Sequence, residues 1–289
     1  MSQWSRRGVL LLCFSVFTYS SSLLAHGTSI SRLEQLQHEL SHHPNDANLY
    51  IARGRLYQER HEMHLAFEDY QRAAKLKPHW PDVQYWLGLL YLEQEKYSLA
   101  LTSLNQYTVR SNAAKGHAVL ARLYAQQKAF RLSANAWNEA IVKDGNPSPA
   151  MYHERALALM KMQTLPYSSA LLAEIVMGLE AGMAQHGPIA SYLTLLVDIY
   201  ERNQLYQKAL MTLERLPSNL LKSPKWKVKK AKMLALAGEQ EKAIKVYQEA
   251  LMALDILPRD KQALSINKVM KKQVIKAISG IGQRVGWPD

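Results

Sequence analysis

The side chains best suited to chemistry in this 289-residue chain are its histidines. His61 and His64 stand three apart in His61-Glu62-Met63-His64, and His42-His43 directly precede Pro44. A helical zinc site of the protease type sets two histidines four residues apart, so that both imidazoles reach one ion from the same face. Neither group has that spacing, and His61 and His64 fall where polar residues must connect two helices, so no metal ligand is assigned. A sharper reading depends on processing. Cleavage after Ala25 would begin the chain at His26, whose amino group and imidazole together chelate copper if His38, His42 or His43 comes close. A single histidine at an expected chain end is common by accident, and histidine-based metal binding ranks behind the readings below.

Catalysis has no positive sign. There is no Gly-rich phosphate loop, no Gly-x-Ser-x-Gly and no carboxylate pair in a recognisable frame. No enzyme activity and no cofactor are expected. The formal charge is +12, and most of it is local: from Ser218 to Asp289 there are thirteen Lys and two Arg against three Glu and three Asp, a net +9. The densest run, Lys225-Trp226-Lys227-Val228-Lys229-Lys230, continues to Lys232, and Lys225, Lys229 and Lys232 mark it as a candidate basic patch. Such a stripe attracts polyanions. Anionic lipid headgroups, acidic polysaccharide or an acidic protein suit an exported chain; nucleic acid is not expected.

Export is read from the first residues. Arg6-Arg7 precede the apolar run Gly8–Phe17, and small and polar residues lead to Ala25. These are the charged, apolar and cleavage regions of a secretory signal peptide over 1–25, with an apolar run about half the ~20 residues that a spanning helix needs. The only cysteine, Cys13, lies inside it. A chain cleaved after Ala25 would have no disulfide, thiol nucleophile or cysteine-ligated metal. The location implied is a bacterial periplasm, with membrane association left open.

The elements that position these residues repeat. Pro44 and Pro78, Gly54 and Gly88, Tyr57 and Tyr91, and Ala66 and Ala100 are each separated by 34 positions. A fixed period of that length describes a unit that buries its apolar face only against copies of itself. With 48% hydrophobic residues the chain can bury a substantial core.

From Tyr50, the segment through Gly54, Tyr57, Ala66, Tyr70, Ala73 and Pro78 resembles the tetratricopeptide repeat. Further copies carry Leu87, Gly88, Tyr91 and Ala100; Leu120, Ala121, Tyr124, Trp137 and Ala140; Leu196, Tyr200, Tyr206 and Ala209; and Gly238, Ala243, Tyr247 and Ala250. The second copy departs at Leu104, Tyr107 and Asn112, and a fourth over about 150–187 is degenerate. The resemblance implies an all-α, right-handed α-solenoid of about six helix-turn-helix repeats over 45–257. A capping helix is expected within 26–44, where Leu33, Leu36 and Leu40 share a face, and a basic cap and tail over 258–289. Ser133 then takes a place that requires a small residue for close packing.

The family's geometry also implies where a partner would bind. First helices line a concave surface, which places Asn48, Ile51, Arg55 and Gln58 there, then Asp82, Tyr85, Trp86 and Leu89, then Lys115, Ala118 and Arg122. Later units would add His153, Glu154, Leu157, Thr194, Asp198, Lys225, Lys229 and Lys232. Arg55, Gln58, Tyr85, Trp86 and Arg122 are the candidate groove residues. The family's clamp for a terminal carboxylate is not carried over, because Ile51 and Arg55 replace two of its residues. The arginines and lysines can still attract carboxylates while Tyr85 and Trp86 offer flat apolar area. Equally, the aromatics could pack between helices and the charges be merely solvated. The function expected is a non-enzymatic scaffold or adaptor holding a protein or peptide, with a surface-charge binder as the alternative.

Overall fold

The computed structural model describes residues 31–285, with side chains to Ile281. The expected leader over 1–25 and His26 lie outside the described residues. Every described element is a helix: α1 over 31–42, α2 Ala47–Glu59, α3 Met63–Leu76, α4 Pro81–Glu93, α5 Tyr97–Ser111, α6 Ala114–Gln126 and α7 Phe130–Lys143. Then follow α8 Pro149–Met160, α9 Ser169–His186, α10 Ala190–Arg202, α11 Tyr206–Glu214, α12 Ser218–Leu221, α13 Pro224–Leu236, α14 Gln240–Asp255, α15 Arg259–Gln262 and α16 Ser265–Val285. They form two compact units that divide between Pro147 and Ser148. The first holds α1 and the hairpins α2/α3, α4/α5 and α6/α7; the second holds α8/α9, α10/α11, α13/α14 and the terminal α16.

Each hairpin begins and ends for local reasons. Pro81, Pro149 and Pro224 open α4, α8 and α13, where a missing N–H leaves nothing unsatisfied. The turn between the two helices of a hairpin is built five times alike. The carbonyls of Tyr57, Tyr91, Tyr124 and Tyr200 each accept from an N–H five residues on, at 2.8 Å, and that of Leu234 does so at 2.9 Å. This bond closes a C-terminal cap whose penultimate residue must be left-handed. His61, Glu95, Lys128, Gln204 and Gly238 occupy that place, with φ of 60°, 57°, 58°, 59° and 86°. Only the last is glycine, so the other turns carry a steric cost of about 1 kcal/mol each.

Close approach of the paired helices explains the periodic small residues. A Cβ on Gly54 would lie 2.6 Å from Cε1 of Tyr70, which is fully buried. Ala66, Ala73, Ala100 and Ala140 are wholly buried as well. The second copy's departure at Tyr107 is matched by the next helix, because Gly116 leaves room where a Cβ would meet the Tyr107 ring at 2.4 Å. Ser133 is buried and donates its hydroxyl to the Ala121 carbonyl at 2.8 Å, so it serves packing. On α1, Leu36 and Leu40 are buried and Leu33 packs against the core of the first hairpins.

Two deviations stand out. In the first hairpin, Asp69 is almost fully buried and accepts two bonds from Arg53, at 2.8 and 2.7 Å, while the guanidinium lies 5.7 and 5.8 Å from the rings of Tyr50 and Tyr57. In the degenerate fourth hairpin, residues 161–168 replace the short turn and α9 runs to 18 residues. There the helices are joined by an Arg155–Glu174 ion pair at 2.8 Å and by Tyr152 donating to Gln185 at 2.7 Å.

The turn geometry predicts opposite effects at equivalent places. Lys128→Gly relieves its left-handed residue and stabilises the protein by about 1 kcal/mol, while Gly238→Ala destabilises by a similar amount. No heavy atom lies within 4 Å of a Cβ added at Gly238, so thermal melting of these two variants reads the backbone alone. For the buried pair, Asp69→Asn leaves Arg53 uncompensated. Since Arg53 keeps 22% of its side chain exposed, the expected loss is about 2 kcal/mol rather than the larger figure for a fully buried pair. In denaturant unfolding, Arg53→Met combined with Asp69→Leu should be more stable than Asp69→Asn, because no buried charge is left unpaired.

Candidate functional site

In the first unit, α2, α4 and α6 are the first helices of consecutive hairpins, and the expected groove residues converge on two aromatic rings. The Arg55 guanidinium lies 4.5 Å from the centroid of the Trp86 ring, and Trp86 meets Tyr85 edge to face at 5.2 Å. Tyr85 packs against Tyr107 at 5.1 Å, and Lys115 sits 4.6 Å from Tyr85 and 5.3 Å from Tyr107. Arg122 lies over Trp137 at 5.4 Å. Burial pushes the Tyr85 phenol up, while Lys115, Arg122 and Arg55 each pull it down, so all three cations act on one ring. Tyr85 and Trp86 therefore do both things left open by the sequence: they pack between helices, and each keeps a partly exposed face. Ile51 and Ala118 are buried and offer no groove surface.

Beside Trp86 opens a cleft of ≈ 300 Å³ lined by Arg55, Gln58, Glu59, His61, Trp86 and Glu93. Gln58 bridges it, donating to Glu93 at 2.9 Å and accepting from Tyr70 at 3.0 Å. His61, the left-handed turn residue, places Nδ1 3.3 Å from Glu93. Sequence reasoning missed Glu59 and Glu93 as members of this face. Glu59 follows Gln58 by one residue, and Glu93 lies one helical turn beyond Leu89.

The cations of this face differ in what holds them. Lys115 is paired with Asp82 at 2.8 Å, and Asp82 also accepts from the Trp80 indole at 3.0 Å. Among the described residues, Arg55 and Arg122 have no carboxylate partner. Both are exposed, Arg55 over the half-buried Trp86 and Arg122 over the buried Trp137, and a guanidinium held at a ring keeps donors free for a planar anion.

The basic run of α13 is arranged differently. Lys229 pairs with Asp198 and, at 2.8 Å, with Glu201; Lys232 meets Glu201 at 2.7 Å. Lys227 faces Glu249 at 3.3 Å and Lys230 faces Glu214 at 3.7 Å. Burial would raise the Glu201 carboxyl, but hydrogen bonds from Lys229 and Lys232 outweigh it and hold the group below its ordinary range. Lys225, which lies 5.6 Å from the Trp226 ring, has no carboxylate partner among the described residues. Of the remaining groove positions, Asp198 is taken by Lys229, Thr194 donates to the Ser191 carbonyl at 2.9 Å, and His153 stacks on Tyr192 at 6.2 Å.

A larger cleft of ≈ 550 Å³ in the second unit was not anticipated. Pro166, Tyr167, Leu172, Val176, Met177 and Leu205 line it, and Tyr167 donates its backbone N–H to Asn203 at 2.7 Å at its edge. Its signal in the sequence is the width of the apolar face of α9, where Leu172, Val176 and Met177 lie outside the buried row Leu171, Ile175 and Leu179. Among the described residues no group of three or more His, Cys, Asp or Glu is placed to hold a metal, and no helix is long and apolar enough to cross a membrane.

No family model matches the chain, and no curated protein matches it. Solved structures do. YrrB, described as a tetratricopeptide repeat protein with an unusual peptide-binding site, matches 75% of this chain over 99% of its own length at 15% identity, with a TM-score of 0.50. PilF of Pseudomonas aeruginosa matches 80% of this chain over 96% of its own, at 12% identity and a TM-score of 0.46. A tetratricopeptide repeat protein of Parabacteroides merdae matches 90% over 98%, at 13% identity and a TM-score of 0.46. The likeness to YrrB concerns fold alone, and with the all-helical hairpins it gives this chain the all-α helical-repeat fold of the tetratricopeptide solenoids.

Proposed function

We propose that this protein is a non-enzymatic scaffold of the bacterial envelope whose first unit docks a protein segment rich in carboxylates. One observation carries the reading. Arg55 and Arg122 stand on indole faces with no internal carboxylate, while the neighbouring Lys115 is already paired. A charged group with free donors beside exposed aromatic area is the composition of an interface hot spot. The cleft at Trp86 gives an anchoring side chain somewhere to enter, and Gln58 supplies a polar group fixed at both ends. A peptide-binding site is described for YrrB, which agrees in kind.

A random-peptide library panned on the purified chain should enrich acidic sequences. Arg55→Glu with Arg122→Glu should weaken the selected peptides about tenfold to a hundredfold, the range for charge-assisted bonds. Trp86→Ala should weaken them regardless of peptide charge. Binding that survives both changes rules out this face. The envelope placement has its own check: N-terminal sequencing of the exported protein should begin at His26, and a retained Met1 in a cytoplasmic fraction would refute it.

A further inference from the structure

Ion pairs neutralise Lys227, Lys229, Lys230 and Lys232 of α13, leaving Lys225, and the densest unspent positive charge lies on α15 and α16. Between Arg259 and Lys276 there are six cations, Arg259, Lys261, Lys268, Lys271, Lys272 and Lys276, against the single carboxylate Asp260. Lys271 is taken by Asp255. Among the described residues Lys268, Lys272 and Lys276 have no carboxylate partner, and all three are exposed. Their spacing of four stacks them on one face of the helix, where like charges repel and destabilise it. Among the described residues no carboxylate offsets that cost.

The same face carries apolar area that packing does not require. α16 docks on α14 and α13 through Val274 and Ile281, which are buried. Val269 and Ile275, 52% and 49% exposed, flank the lysine stripe on its two sides, and Leu264, just before the helix, and Ile266, in its first turn, are 52% and 66% exposed. Isolated exposed apolar residues need no explanation, but branched aliphatic side chains on either side of a lysine row form a pattern. Lysine stems run along apolar surface while their ammonium groups reach outward, so such a face can lie against an interface with aliphatic groups inserted and charges at the headgroup level.

We propose that α16 is a peripheral docking face for an anionic lipid surface, independent of the peptide site of the first unit. Charge complementarity selects this occupant. A second copy would bring three free lysines against three more. Nucleic acid would satisfy the lysines but would leave Val269, Ile275 and Ile266 exposed, and residues 259–281 contain no aromatic side chain on which a base could stack. A negatively charged bilayer satisfies both halves of the face. It also moves the membrane-surface role from Lys225, Lys229 and Lys232, where the sequence pointed, to Lys268, Lys272 and Lys276.

The test is vesicle co-sedimentation of the full chain. Vesicles of phosphatidylcholine with one quarter phosphatidylglycerol should bind it, and pure phosphatidylcholine should not. Lys268→Gln, Lys272→Gln and Lys276→Gln together should reduce partitioning about a hundredfold, at about fivefold per lysine, with salt acting in the same direction. Val269→Ser with Ile275→Ser should reduce it separately at unchanged charge. Circular dichroism and melting of each variant confirm that the fold is intact, and Lys229→Gln with Lys232→Gln controls for charge elsewhere. Equal binding to both vesicle types overturns the proposal. So does binding to a labelled DNA duplex that is lost with the lysines but kept in the serine variant, which assigns the stripe to nucleic acid. A concentration-dependent dimer abolished by the serine variant overturns it in favour of a second copy.

Discussion

Everything in this fold depends on how closely the two helices of a hairpin approach. The approach is set at Gly54, where the Tyr70 ring occupies the volume that any Cβ would need, and at the turn, where one carbonyl must reach an N–H five residues on. Tyr57 serves both requirements: its ring is buried in the layer while its carbonyl closes the turn. A hairpin held this tightly has one buried side and one free side, and a single hairpin cannot bury enough apolar area to be stable alone. Stacking follows from the close approach. The exposed face of each first helix is then what remains for recognition.

That division decides the fate of the charged side chains. On the free faces, ion pairs form between one hairpin and the next, as with Lys115 and Asp82 or Lys232 and Glu201. Individually such exposed pairs contribute little, about 0–1 kcal/mol, but they remove charge from the surface. Arg55 and Arg122 escape because an indole, not a carboxylate, is the nearest surface available to them. A cation–π contact of about 0.5–1 kcal/mol holds the group at the ring without satisfying its hydrogen-bond donors. The two arginines are thus ordered and unspent at once.

Much of the hairpin architecture was legible in the sequence because the residues that enforce close approach must be small. Gly54 and Gly88, and Ala66 and Ala100, keep their type across the first two repeats, Ser133 keeps the third small, and the departure at Tyr107 is balanced by Gly116. The turn was not legible, since its left-handed place is filled by His, Glu, Lys, Gln and Gly, a set with no common chemistry. The fold tolerates that variation because a backbone bond closes the turn, and each residue meets the steric cost on its own. In the fourth hairpin the pattern fades for a related reason: 161–168 replace the turn, and side-chain bonds such as Arg155–Glu174 take over its role. The site was legible in part. Periodicity put Arg55, Gln58, Tyr85, Trp86 and Arg122 on the first helices, but it could not distinguish a lysine that has a partner from an arginine that has none.

The basic run of α13 shows why counting charge along a chain misplaces a binding surface. Five lysines within Lys225–Lys232 draw attention, yet the carboxylates that meet Lys229 and Lys232 lie on α10, about one repeat earlier in the sequence. Charge cancels across neighbours in space, and in a repeat protein those neighbours are one period away. Among the described residues no helix follows α16 to supply them. Its lysines therefore stay unpaired wherever the preceding helix lacks a matching carboxylate, and Asp255 answers only Lys271. Among the described residues surplus charge and exposed aliphatic groups coincide on α16, which packs against α13 and α14 and leaves its opposite face uncovered.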